Sequence, residues 1–419
     1  MIDPKLLRDN PNLIRDALQR RGVSIALESL IEFDRQRRSE LATIENDRSR
    51  LKKDSDEFAK QKSESNPSPP LALKQLSKNI AAREQNLKTL ESRIQQELAM
   101  IPNIPHASVP VGDSKANQIV RTVGKKPELP FTPKTHLELA ERLQLMDFER
   151  AAKVSGSHFP LFTGAGAHLE RALINWMLDV HTKEHGYTEI SPPFLVNRAS
   201  MFATGQLPKF EEDMYRLRDD DLFLVPTAEV PLTNLHRDEV LAEGALPLKY
   251  TAYTACFRRE AGSYGKETRG LVRVHQFDKV ELVKLTSPET SYDELERLVA
   301  DAEVILQRLG LHYRVVCLAT GDLSFAAAKC YDLEAWAPGL DQFLEVSSCS
   351  NFETFQARRA NLRYRPAATG KPAYVHTLNG SGVALARTLI CLLETHQRAD
   401  GHVAIPEPLR PYLDGQEQL

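Results

Sequence analysis

Segment Phe257–Phe277, FRREAGSYGKETRGLVRVHQF, opens on Arg258, Arg259 and Glu260 and crosses three glycines, Gly262, Gly265 and Gly270. It returns through Arg273 to Phe277. The pattern predicts two β-runs joined by a long loop that is basic at its base. A guanidinium presents a planar fork suited to phosphate and carboxylate oxygens. An aromatic ring on the returning run can stack on a nucleobase. A second segment, Asn379–Glu394 (NGSGVALARTLICLLE), predicts a glycine-flanked turn opening an apolar helix with Arg387 in its first turns. An arginine in an apolar pattern needs an anionic partner, because an unpaired buried charge is costly. A third, Glu170–Pro193, predicts an amphipathic helix running into a strand that ends at Pro192 and Pro193. Taken singly, each has a plain structural reading: a surface hairpin with solvated arginines, an arginine paired to a structural carboxylate, and a core or interface helix.

The elements that must position these residues differ between the two parts of the chain. From about residue 136, predicted helices (136–153, 167–186, 289–309, 382–398) alternate with short β-rich runs (222–225, 249–258, 271–285, 312–318, 331–336, 343–348). Adjacent β-runs with long helices between the groups, and no βαβ alternation, predict an antiparallel sheet flanked by helices and an α+β fold. There is no phosphate-binding P-loop and no dinucleotide-binding glycine pattern in the chain.

The first part is of another kind. Residues 1–25 predict a short helical lead-in. Residues 27–64 are nearly free of Gly and Pro, and Leu30, Arg37, Ile44, Leu51 and Phe58 share one heptad position. Ser65–Pro70 (SNPSPP) breaks the helix. Leu73, Leu76, Ile80, Leu87, Leu90, Ile94, Leu98 and Ile101 then recur at spacings of three and four until Pro102 and Pro105. Two such helices joined by a short turn predict a long antiparallel helical hairpin over 27–101. Each arm would run about 55 Å and project into solvent. Polar seam residues (Asp34, Arg37, Arg48, Ser55) argue for an intramolecular pair rather than a dimerisation coiled coil. Its outer face, with Arg48, Arg50, Lys52, Lys53, Lys74, Lys78 and Arg83, suits a polyanion; a solvated charged face is the alternative for any one of them. The domain reading is therefore 1–103 for the N-terminal unit, 104–135 for a linker and 136–419 for the second domain.

The whole chain has a formal net charge of −3, so any nucleic-acid surface must be a local patch. Five scattered cysteines without a C-x-x-C pair suit a reducing compartment and exclude a disulfide framework or a zinc finger. The acidic residues among the first 22 exclude a secretory or transit signal, and no apolar run is long enough to cross a bilayer. A cytoplasmic protein without membrane attachment is the expectation.

The three segments, in this order, resemble motifs 1, 2 and 3 of class II aminoacyl-tRNA synthetases. The finer wording is similar to that of bacterial-type seryl-tRNA synthetases. It is carried by TGQLPKF (204–210), PTAEVPLTNL (226–235), VHQFDKVEL (274–282), TGD (320–322), EVSSCSNFETFQARRAN (345–361), HTLNGSG (376–382), LRPY (409–412) and the opening MIDPKLLR. The resemblance covers essentially the whole chain, and the helical hairpin matches the family's tRNA-binding arm.

The resemblance implies a two-step reaction. Serine carboxylate attacks the ATP α-phosphorus, giving seryl-adenylate and pyrophosphate; a terminal ribose hydroxyl of tRNA then takes the seryl group. It implies that Arg258 bridges the amino-acid carboxylate and the α-phosphate, and that Arg387 meets the γ-phosphate, making these the catalytic pair. ATP would lie along Arg258, Arg259 and Glu260, along Val274, His275, Gln276 and Phe277, whose ring stacks on adenine, and along Glu345, Val346, Ser347 and Ser348. Glu345 and Ser348 would hold Mg²⁺. Thr227, Ala228 and Glu229 would meet the serine ammonium, and Glu281 and Ser381 its hydroxyl. The implied partners are L-serine, tRNA(Ser) read mostly through its backbone, and a second copy of the chain; tRNA(Sec) is left open as a further substrate.

Several positions depart from the family's commonest wording: Ala203, Arg259, LSFAAAK (323–329), Cys330 and Ala386. None removes a residue with an implied role. A serine-activating paralogue that loads a carrier protein would lack the arm, and an inactive binding module would have lost the motif arginines or the metal carboxylate.

Overall fold

The computed structural model describes residues 1–61, 70–260 and 270–419. The Ser65–Pro70 break, apart from Pro70, and the loop glycines Gly262 and Gly265 lie outside the described residues. The chain divides into two compact units, residues 2–102 and residues 103–419 together with Met1.

In the first unit, helix α1 (Pro11–Arg20) is capped by Asn10, whose side chain accepts from the Leu13 amide, with Pro11 in its first turn. Helices α2 (Glu28–Gln61) and α3 (Leu71–Ala99) pair antiparallel. Cross-helix ion pairs Arg37–Glu91, Arg48–Glu84 and Arg83–Glu40 run in opposite senses along the two. Leu30, Ile44, Ile80, Ile94 and Leu98 are buried along the seam. The polar seam residue Asp34 is buried and held by Arg37 and Arg38 at 3.2 and 3.0 Å. The described 34 and 29 residues of the two helices span about 50 and 44 Å. Arg48 and Arg83 are engaged across the seam, whereas Lys52, Lys53, Lys74 and Lys78 are exposed.

The second unit is built on an eight-stranded sheet. Its strands are β1 (Gln118–Val123), β2 (Thr188–Glu189), β3 (Leu248–Phe257), β4 (Gln276–Thr286), β5 (Tyr313–Cys317), β6 (Lys329–Ala337), β7 (Gln342–Asn351) and β8 (His376–Ala384), in the order β1-β5-β6-β7-β8-β4-β3-β2. All neighbours are antiparallel except β2 and β3. Helices α4 (Ala165–Lys183), α5 (Ser291–Arg308) and α6 (Leu385–Thr395) pack with it through one apolar core that includes Leu173, Met177, Val280, Leu282, Leu298, Leu389 and Ile390. The α+β expectation with an antiparallel sheet holds.

Three boundaries differ from the sequence reading. Residues 104–135, read as a linker, belong to the second unit and supply its edge strand β1. The helix expected over 136–153 is two helices, 136–142 and 148–155, parted at Gln144, whose φ is 52°. The glycine-flanked turn expected at 379–382 is strand. A Cβ on Gly380 would lie 2.6 Å from the Leu298 side chain, and one on Gly382 2.7 Å from His181 Nε2. Those glycines admit a helix and a buried histidine against the sheet, which local turn chemistry cannot reveal.

Candidate active site

Strand alternation builds the floor of a 410 Å³ cavity in the second unit. On β4, Val280 and Leu282 enter the apolar core, so Phe277, Lys279 and Glu281 share the opposite face. On β7 the pairing with β6 slips by one between Glu345 and Ser347. That bulge resets the alternation, and Glu345 and Ser348, three residues apart, both line the cavity.

Arg258 follows the last residue of β3. Its Nε donates to the Pro226 carbonyl at 3.2 Å, and its guanidinium lies 5.1 Å from the centre of the Phe277 ring. Arg387, in the first turn of α6, answers the question its sequence posed. Its Nε donates to the Val272 carbonyl at 3.1 Å, and one terminal nitrogen reaches Glu345 Oε2 at 3.3 Å. The hairpin arginine and the helix arginine thus line one cavity. Glu260 pairs with Arg273 at its edge.

A buried polar nest lies at the inner end. Thr227 Oγ1 donates to Glu281 Oε2 at 2.7 Å and accepts from Lys279 Nζ at 2.8 Å. Lys279 also pairs directly with Glu281. Glu229 accepts from Gln356 Nε2 at 2.6 Å and from Asn379 Nδ2 at 3.1 Å, and the same Asn379 nitrogen reaches Glu281 Oε1 at 3.3 Å. Burial, and next the neighbouring Glu281 charge, push the Glu229 carboxyl up to about 7.

Most of the expected site residues meet here. Thr227, Glu229, Arg258, Glu260, Val274, Phe277, Glu345, Val346, Ser347, Ser348, Ser381 and Arg387 line the cavity. Ala228 and Glu281 are wholly buried, Glu281 directly beneath Thr227. These two lie behind the lining, and three more expected residues are also outside it. Arg259 is exposed, its amide bonded to the Asp213 carbonyl. His275 accepts the Arg258 amide on its carbonyl, and its ring packs near His158 and Phe159. Gln276 pairs with Phe257 on the strand ladder. The sequence reading left Lys279, Gln356 and Asn379 without roles. Lys279 was findable, since it stands between Phe277 and Glu281 on one strand face. Gln356 had no local signal; helix 355–359 brings it to Glu229 only in the fold.

The donors also suit a hard cation. Glu345 offers a carboxylate and Ser348 a hydroxyl. Behind them burial, then the Glu345 charge, holds the Asp332 carboxyl well above its usual range, and Asp332 is hydrogen-bonded to Ser348. One or two carboxylates plus substrate phosphates is the set that Mg²⁺ accepts.

An antiparallel sheet whose hairpin arginine and helix arginine face one cavity beside a metal-type carboxylate defines the class II aminoacyl-tRNA synthetase core. Residues 209–396 match the tRNA synthetase class II core domain (G, H, P, S and T), and residues 1–105 match the seryl-tRNA synthetase N-terminal domain. Serine–tRNA ligases of Syntrophobacter fumaroxidans and Pelotomaculum thermopropionicum are each 54% identical over 422 residues, covering 100% of both chains. The seryl-tRNA synthetase from Pyrococcus horikoshii complexed with ATP superposes with a TM-score of 0.92 at 39% identity, covering 100% of this chain and 99% of that one. The chain belongs to the seryl-tRNA synthetase family.

Proposed function

We propose that this chain activates L-serine with ATP and transfers the seryl group to tRNA(Ser), acting in the cytoplasm as a homodimer. The observation that carries the reading is one cavity joining an amino-acid-sized polar nest (Thr227, Glu229, Glu281) to the two arginines and the Glu345–Ser348 pair. In the first step a serine carboxylate oxygen bonds to the α-phosphorus as the bond to pyrophosphate breaks. Positioning and charge stabilisation dominate such a step, with no side-chain acid or base needed. Arg258 stands between nest and cavity, placed to hold the carboxylate and the α-phosphate together. Arg387 takes the terminal phosphate, exchanging Glu345 for it. Glu345 and Ser348 would hold Mg²⁺, which neutralises phosphate charge when bound. Glu281 accepts from the serine hydroxyl, a bond that alanine and glycine cannot make, so both should be activated less well than serine.

Serine-dependent ATP–pyrophosphate exchange tests this. Exchange with serine, not with alanine, glycine or threonine, and lost on chelation by EDTA, is the expected result. Folded protein without exchange for any amino acid overturns the reading. For tRNA, the exposed Lys74 and Lys78 of α3 are the binding face. Replacing either by alanine should lower the slope of log affinity against log salt by about one, with exchange unchanged. An unaltered slope removes them from the tRNA surface.

A further inference from the structure

The amino-acid nest holds two carboxylates and, among the described residues, one cation hydrogen-bonded to either of them. Glu281 and Glu229 are 0% and 6% exposed, and a single Asn379 nitrogen bridges them. Lys279, 5% exposed, pairs with Glu281 and donates to Thr227. Glu229 receives hydrogen bonds from the neutral Gln356 and Asn379, along with the fields of Lys279, which is paired to Glu281, and of Arg258, whose guanidinium is turned to Pro226 and Phe277. Two buried carboxylates this close do not both ionise readily with one counter-charge.

We propose that Lys279 is the positioning residue that balances Glu281 for its hydroxyl-reading role, and that the substrate ammonium supplies the missing second cation by displacing a proton from Glu229 to solvent. This rests on the serine reading above. The division of labour follows from geometry. Lys279 is next to Glu281 on the same strand face and pairs with it, so Glu281 has a counter-charge of its own. Glu229 stays incomplete until an amino acid arrives. The nest then senses the ammonium by charge and the hydroxyl by hydrogen bonding. Gln356, itself held by Thr377 at 2.7 Å, fixes the Glu229 carboxyl against rotation.

The groups facing Glu229 are Glu281 and Lys279 from β4, Arg258 beyond β3, and the neutral Gln356, Asn379 and Thr227. With Glu229 titrating near 7, serine affinity should fall about tenfold per pH unit below that point and level off above it. Calorimetry of serine binding to the wild-type chain, in buffers of different ionisation enthalpy, reads the proton directly. At pH 6.5 about three-quarters of a proton should be released per serine, falling towards zero by pH 8. Serine heat that is independent of buffer overturns the proposal. No serine heat together with no exchange instead overturns the serine reading itself. Lys279→Gln should raise the serine KM at pH 7 by at least about fivefold and move the pH midpoint up by at least about one unit. The ATP KM should stay unchanged, and Lys279→Arg should restore the wild-type profile. Equal rises in both KM values, or an unmoved midpoint, sink it; if Lys279→Gln does not fold, the wild-type proton count decides.

Discussion

Arg258→Ala should lower serine-dependent pyrophosphate exchange by about a hundred- to a thousandfold, the usual loss when one preorganised donor to developing charge is removed. The loss should lie in kcat, because Arg258 is placed to meet both reacting groups and its work is greatest when charge shifts onto the phosphorus oxygens. The substitution costs the fold little. Arg258 is half-buried and, among the described residues, makes one bond to the Pro226 carbonyl and one contact to the Phe277 ring. Arg258→Lys should recover only a small part, since a point charge cannot fork two ligands. A loss under tenfold in Arg258→Ala, with the denaturation midpoint unchanged, would move the catalytic role elsewhere in the cavity.

The largest stability effect is expected far from any substrate, at Glu394 in the last turn of α6. It is wholly buried and accepts four hydrogen bonds. Its Oε1 takes the His136 amide at 2.8 Å and His136 Nδ1 at 3.1 Å; its Oε2 takes the Gly339 and Leu340 amides at 2.8 and 3.2 Å. His136 Nε2 in turn accepts the Leu271 amide at 3.3 Å, which puts the ring proton on Nδ1. One carboxylate thus ties together the start of a helix, the β6–β7 turn and the base of the arginine hairpin. Gly270 completes the fit: its φ is +63°, and a Cβ there would lie 2.3 Å from His136 Nε2. Glu394→Ala strands four donors, two of them buried and two part-buried, and should cost roughly 3–5 kcal/mol. In urea the catalytic unit's midpoint should fall by about 1 M or more. Glu394→Gln, which keeps the acceptor on one side, should cost less. An unchanged midpoint for Glu394→Ala would mean that water replaces all four bonds.

Much of this site was legible along the chain because its motifs are continuous segments. Phe277 and Glu281 fall on a strand where period-two alternation sorts the faces, Arg258 directly follows its partner strand, and Arg387 announced itself as a charge in an apolar helix. The arm's heptads were equally plain, since a two-helix seam repeats its own rule every seven residues. What failed were places where a neighbour overrode a local signal. N-G-S-G reads as a turn and is strand because a helix and His181 need the glycines' missing side chains. Residues 104–135 read as a linker of turn residues with an unplaced strand, because the partner that fixes that strand, β5, lies almost two hundred residues further on.

The sequence by itself determined the two-helix arm and the residues that share one strand face, because each depends on spacing within a segment; the class of chemistry came with the resemblance of its motifs to a known family. Only the tertiary structure decided charge balance. It set Arg387 against Glu345, gave Lys279 to Glu281, and left Glu229 with neutral partners from two distant segments. Coulomb interactions and desolvation depend on distance in space and on burial, and neither quantity is written along the chain.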